Sequence, residues 1–203
     1  MFKDLPYEIS EQIILQICNL NITNKFCPDR IKKVYYEEIH NMDFLFEDLN
    51  ILKTLLIQNL ILDKDELIKN ALRNHNFPVL ELLIEIDCFD PRAQNDEDFR
   101  YAAFRNDFEM VKFLVEQGCD PTVQNNQAII DATQNNNLEF VKFLIDHGCD
   151  PTAQDNKAIR RATAIGNFKM VKFLLDKGCD KDRAILYAIQ DNNQELVKFL
   201  SNL

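Results

Sequence analysis

An all-α array of stacked helical hairpins is the fold class this sequence predicts, and three observations carry the prediction. Val-Lys-Phe-Leu recurs at 111–114, 141–144, 171–174 and 197–200, at intervals of 30, 30 and 26 residues. Within each interval the apolar residues fall at helical spacing in two short runs, without the alternation of a strand. Gly118, Gly148 and Gly178, three of the four glycines, close the second run of successive units. A fixed period in this range marks a solenoid whose units cannot bury their apolar faces alone.

Residues 1–36 do not follow the repeat. Asp4 can cap a helix with Pro6 in its first turn, and Ile9, Ile13, Ile14 and Ile17 then line one face. Two readings stand side by side. One is a helical cap over the apolar flank of the first hairpin. In the other, Leu5-Pro6-Tyr7-Glu8-Ile9 with Ile13 and Ile14 resembles the opening of an F-box. That resemblance implies docking on a Skp1-type adaptor of ubiquitin ligases through Leu5, Pro6, Ile9 and Ile13. The later half departs from it: Asn24-Lys25-Phe26-Cys27 is a weak echo of the family's second helix, and the usual Trp is absent.

Residues 37–203 form the repeat region. Leu49 to Asn59 fits the second helix of a degenerate opening unit. Four units follow at about 61–90, 94–123, 124–153 and 154–180, then a truncated fifth at 184–203. In the third, Ala128, Ile129 and Ala132 predict a first helix ending near Gln134. Leu138, Val141, Phe143, Leu144 and Ile145 predict a second with a wider apolar stripe. Phe113, Phe143, Phe173 and Phe199 are expected to point inward along a common axis. Asn106, Asn136, Gly166 and Asn192 share the slot between the helices, with His75 one unit earlier. These residues best tolerate left-handed backbone, so the first helix should end there in that conformation. Lys112, Lys142 and Lys172 stand four residues before Glu116, Asp146 and Asp176, a salt-bridge spacing on a solvent face. Pro121 to Asn126 and Pro151 to Asn156 read as exposed loops or tight hairpins. The junction from Cys179 to Ala184 is four residues shorter.

This unit resembles the ankyrin repeat. Gly148-Cys149-Asp150 stands for that family's Gly-Ala-Asp, Leu138 to Leu144 for its second helix, and Ala128-Ile129-Ile130-Asp131-Ala132 for Thr-Pro-Leu-His-x-Ala. The Thr-Pro pair is missing, and the repeat is shorter than the usual ~33 residues, which puts a full β-hairpin finger in doubt. Short repeats of this kind are similar to those of ankyrin proteins from giant viruses of amoebae. The resemblance implies protein–protein interaction through a concave face of turns and first helices. By position that face holds Arg100, Tyr101, Gln124, Asn125, Ile130, Asp131, Gln154, Asp155, Arg160, Arg161, Leu186 and Tyr187, slots whose chemistry changes between units while the core slots do not. A monomer is expected.

Composition excludes several other classes. Net charge is −10, unevenly spread: from 154 onward nine Lys or Arg face six acids, a net +3 that leaves −13 on residues 1–153. The acidic bulk argues against nucleic-acid binding, while the basic end can steer an acidic protein. No apolar run approaches the ~18 residues of a membrane span, and Met1 to Pro6 lacks a signal-peptide core, so an intracellular, cytoplasmic protein is expected. Cys119, Cys149 and Cys179 occupy one slot. Stacked units separate equivalent atoms by about 10 Å, beyond the ~7 Å of a disulfide, so these are expected as buried thiols in a reducing compartment. No Cys-x-x-Cys pair occurs, and His40, His75 and His147 lack ligand spacing, so neither metal nor cofactor is expected. Serine occurs only at 10 and 201. His147 occupies a slot that holds Gln117 and Lys177 elsewhere, so its pairing with Cys149 carries no catalytic weight. No enzyme is expected.

Overall fold

The computed structural model describes residues 49–57 and 64–203. The expected adaptor-docking residues Leu5, Pro6, Ile9 and Ile13 lie outside the described residues. The described part contains eleven helices and no strand. The chain divides into two compact units, Met1–Asp90 and Pro91–Leu203.

In the first unit, α1 (Leu49–Ile57) packs against α3 (Phe77–Glu85), and Lys53 Nζ reaches Glu85 Oε1 at 2.7 Å. Helix α2 (Lys64–Arg73) forms a hairpin with α3. The second unit holds four hairpins: α4 (Ala93–Phe104) with α5 (Phe108–Glu116), and α6 (Val123–Gln134) with α7 (Leu138–Asp146). Then come α8 (Ala153–Ile165) with α9 (Phe168–Asp176), and α10 (Lys181–Gln190) with α11 (Gln194–Ser201). First helices stack in sequence, α4 on α6, α6 on α8 and α8 on α10.

Each hairpin is punctuated as the shared slot predicts. His75, Asn106, Asn136, Gly166 and Asn192 all adopt left-handed φ, between 53° and 74°. The next residue donates its N–H back across the helix end (Asn137 N to Ala132 O, 3.0 Å), which satisfies carbonyls left open there. That next residue also caps the second helix. Asn76, Asp107, Asn137, Asn167 and Asn193 each accept, through the side chain, the N–H three residues on, at 3.0–3.3 Å. Each cap contributes about 1 kcal/mol. One polar pair thus ends one helix and starts the next. Asp180 does the capping alone at the shortened junction, accepting from Arg183 N at 3.1 Å.

The core lies between the helix pairs. Phe99, Ile129 and Ile159 fill one buried slot of the first helices, and Ala102, Ala132, Ala162 and Ala188 another. Alanine there lets neighbouring helices approach closely. The second helices bury Val111, Val141 and Val171, then Leu114, Leu144 and Leu174.

Four expectations change. Of the recurrent phenylalanines only Phe113 is buried; Phe143, Phe173 and Phe199 are half-buried at the edge of the stripe. Phe143 meets the Phe108 ring edge-on at 5.4 Å and His147 at 4.0 Å. Their place inside is taken by Met110, Phe140, Met170 and Leu196, one residue earlier in each unit than the motif. The lysine ladder pairs backward: Lys112 and Lys142 bind Glu109 and Glu139 at 2.8 Å, three residues earlier, and not Glu116 and Asp146. Ile130, expected on the concave face, is 1% exposed and belongs to the core. Lastly, of the two readings of the polar connections the loop stands and the hairpin does not: each connection is a turn that runs on through a non-helical opening of α4, α6 or α8. Gln94-Asn95-Asp96, Gln124-Asn125-Asn126 and Gln154-Asp155-Asn156 each form a run of three left-handed residues, with φ between 51° and 62°.

Such runs cost about 1–2 kcal/mol per residue, less for Asn and Asp. Hydrogen bonds between units offset this cost. Asn126 Oδ1 accepts the Asp150 N–H at 2.8 Å and Asn156 Oδ1 the Asp180 N–H at 3.0 Å; Asp96 and Asp120 N repeat the bond at 3.4 Å. The cysteines run parallel to this ladder. Cys119, Cys149 and Cys179 are buried thiols that donate to the carbonyls of Pro91, Pro121 and Pro151 at 3.2–3.3 Å.

Burial, with Asp120 beside one and Asp150 beside the other, pushes the Cys149 and Cys179 thiols up to about 12. Folded thiols keep protons that unfolded ones lose above about 8.5, so their contribution is whole below that pH and declines toward 12. Native-state alkylation at neutral pH should therefore modify half-buried Cys88 well before Cys119, Cys149 and Cys179. Peptide mapping that finds all four labelled at one rate would contradict the thiol–carbonyl ladder.

Candidate interaction surface

The first helices present their outer faces in register, and the twelve expected contact residues divide into three groups. Four are used by the fold. Arg100 Nε donates to Asn95 O at 3.1 Å and its Nη2 to Gln94 O at 3.4 Å. Gln154 Nε2 donates to Asn125 O at 3.1 Å and to Gln127 Oε1 at 3.0 Å, and reaches Gln124 O at 3.5 Å. Asp155 pairs with Arg183, which also donates to the Asp155 carbonyl. The Arg100 and Gln154 side chains donate to carbonyls of the left-handed runs, and Asp155 holds the Arg183 that does the same. Ile130, in the core, is the fourth.

A second group is exposed and basic or apolar. Arg160 and Arg161 are exposed, and the Arg160 guanidinium lies 5.6 Å above the half-buried Tyr187 ring. Leu186 is exposed beside Tyr187 in sequence. Arginine over an aromatic face keeps its charge while its plane is held.

The third group borders a groove of about 410 Å³ between α4 and α6. Tyr101, Gln124 and Asp131 line it; Asn125 is exposed in the adjoining run. The floor is Phe99, Ala103 and Ala128, and Phe104 closes one side. Tyr101 and Phe104 are 66% and 69% exposed, an unusual position for two large rings. Sequence reasoning missed Phe104, Glu97 and Gln127. Phe104 was legible in principle, because its slot holds Gln134, Ala164 and Gln190 in the other units.

Charge on this face changes sign along the stack. One slot reads Glu97, Gln127, Lys157 and Arg183. Asp131 sits at the crossover. Burial raises its carboxyl above the ordinary value, opposed by the 2.8 Å hydrogen bond from Gln127 and by the charges of Lys157 and Arg161. Burial, then Glu97, raises Asp98 as well.

The family model described as ankyrin repeats matches residues 44–155, 99–185 and 129–203, so the matches cover the whole stack just described. The chain belongs to the ankyrin-repeat family. Repeats of this family are protein–protein interaction modules, built as an all-α helical-repeat solenoid. A comparison with curated proteins gives no match. No helix among the described residues is long and apolar enough to cross a membrane. As an ankyrin array this one departs at its turns, where a single left-handed run stands in each of three connections.

Proposed function

We propose that this protein is an interaction scaffold that holds a protein partner on the first-helix face of residues 91–203. The observation that carries the reading is the pair Tyr101 and Phe104, left in water beside a groove whose floor is apolar. Aromatic rings at the mouth of a pocket are the usual anchors of an interface. Arg160 and Arg161, with Leu186 and Tyr187 nearby in the next unit, supply a second contact suited to an acidic segment. No reaction is assigned to this surface. Reduced, buried thiols suit an intracellular, cytoplasmic setting.

Affinity capture followed by mass spectrometry from the native cell type tests the reading. The double variants Tyr101→Ala/Phe104→Ala and Arg160→Glu/Arg161→Glu should lose the captured partner by about 100-fold or more each while keeping the wild-type melting temperature. Capture that survives both variants would remove this face from consideration.

A second reading rests on the Leu5-Pro6 to Ile13 motif. In it residues 1–36 recruit a Skp1-like adaptor and the array selects the ligase target. Deleting residues 1–20 should then abolish co-purification of that adaptor and leave partner capture by the array intact. If the full chain never brings down a Skp1-like protein, this second reading fails alone.

A further inference from the structure

The walls of the groove between α4 and α6 carry charge as well as aromatic rings. On α4, Glu97, Tyr101 and Phe104 follow one another at helical spacing and share one face. The same slots on α6 hold Gln127, Asp131 and Gln134. Each wall thus brings one carboxylate to the apolar floor, Glu97 exposed and Asp131 half-buried. Neither carboxylate takes part in an ion pair among the described residues. Asp131 accepts from Gln127 Nε2 at 2.8 Å, and the Lys157 and Arg161 charges that act on it belong to α8, the next first helix along the stack. Arg100 also lines the groove, but its guanidinium donates to the Asn95 and Gln94 carbonyls.

We propose that this groove takes a lysine or arginine side chain of the protein partner, its stem along the floor and its cation directed to Glu97 and Asp131. The assignment rests on the first-helix face being the interaction surface, and it names the anchor that surface selects. An uncharged apolar anchor would cover both carboxylates and return nothing for the water they lose. A long basic side chain lays methylenes on Phe99, Ala103 and Ala128 and supplies the countercharge at its tip. The exposed rings of Tyr101 and Phe104 attract the same cation. The face offers this anchor one place. On α8 the slots of Glu97 and Tyr101 hold Lys157 and Arg161, which repel a second cation.

A random peptide library displayed on phage and panned on the full chain supplies the probes. Selected peptides should share a lysine or arginine, and replacing that residue by methionine should weaken binding by about 10-fold or more. Glu97→Gln/Asp131→Asn should weaken the parent peptide similarly and the methionine peptide far less, the coupling expected of groups in contact. Neither substitution disturbs the fold, because Glu97 is exposed and Asp131→Asn keeps an acceptor for Gln127. Asp146→Asn/Asp176→Asn removes the same charge from exposed positions on the second helices and should leave binding unchanged. Equal weakening by that control pair would mean attraction to the acidic chain as a whole, and would overturn the anchor. Selected peptides without a shared basic residue also overturn it; if Tyr101→Ala/Phe104→Ala still abolishes their binding, the interaction face itself survives. A library that yields no binder overturns the anchor too, and the affinity capture above then decides the face separately.

Discussion

Phe140→Ala should lower the free energy of unfolding by about 3–5 kcal/mol, the range for removing a large aromatic from a packed core. Phe140 is 0% exposed on α7, and its ring stacks on Phe108 of α5 with centroids 5.1 Å apart. The substitution opens a cavity between two hairpins, and neither backbone can collapse into it without breaking the caps at Asp107 and Asn137. The measurement is a denaturant midpoint at unchanged slope. Phe143→Ala, three residues on, should cost about 1–2 kcal/mol, because that ring is half in water. Lys142→Ala should cost only a few tenths, since it removes an exposed ion pair to Glu139. Equal losses at Phe140 and Phe143 would show that the second helix does not divide into an inner and an edge position.

That contrast marks how far the sequence could be read. The period, the two helices per unit and the left-handed slot at Asn106, Asn136, Gly166 and Asn192 follow from residue type alone, since only the spacing of apolar residues and tolerance of positive φ are involved. The depth of each apolar residue does not follow. Val-Lys-Phe-Leu recurs in four units, yet its Phe lies at the rim in three of them, while the unremarkable position before the motif, filled by Met110, Phe140, Met170 and Leu196, is inside in all four. A stripe spanning so much of a nine-residue helix leaves its centre ambiguous by one residue, about 100° of arc.

The outer face of the first helices was harder still. Register located the slots, and Tyr101, Arg160, Arg161 and Leu186 are exposed. Whether a polar side chain is available depends on what it meets. Arg100 and Gln154 donate to carbonyls that only the unexpected backbone of the turns places within their reach, and Asp155 is taken up by Arg183, which donates to the Asp155 carbonyl as well. The same backbone explains the reversed lysine pairs poorly. Those follow from the second helices, where Glu109 and Glu139 stand one turn before the lysine, and Lys169 takes that slot in the next unit.

Asn126→Val should cost about 2–4 kcal/mol, the sum of a β-branched residue forced to positive φ and one lost hydrogen bond between units. Asn126 has φ 61°, and its Oδ1 receives the Asp150 N–H at 2.8 Å. Two further substitutions separate the contributions. Asn126→Gly keeps the backbone free to turn left and removes only the acceptor, so it should lose about 1 kcal/mol. Asn126→Asp keeps an acceptor of the same reach, which is what the chain itself uses at Asp96 one unit earlier, and should change stability by less than about 0.5 kcal/mol. Hydrogen exchange at the Asp150 amide reads the bond directly: protection should fall in the Val and Gly variants and persist in the Asp variant. Val and Gly variants that lose the same stability would mean that left-handed strain is not held at this turn. Unaltered Asp150 exchange in all three would mean that the hairpins are joined by packing alone, without the polar ladder that runs beside it.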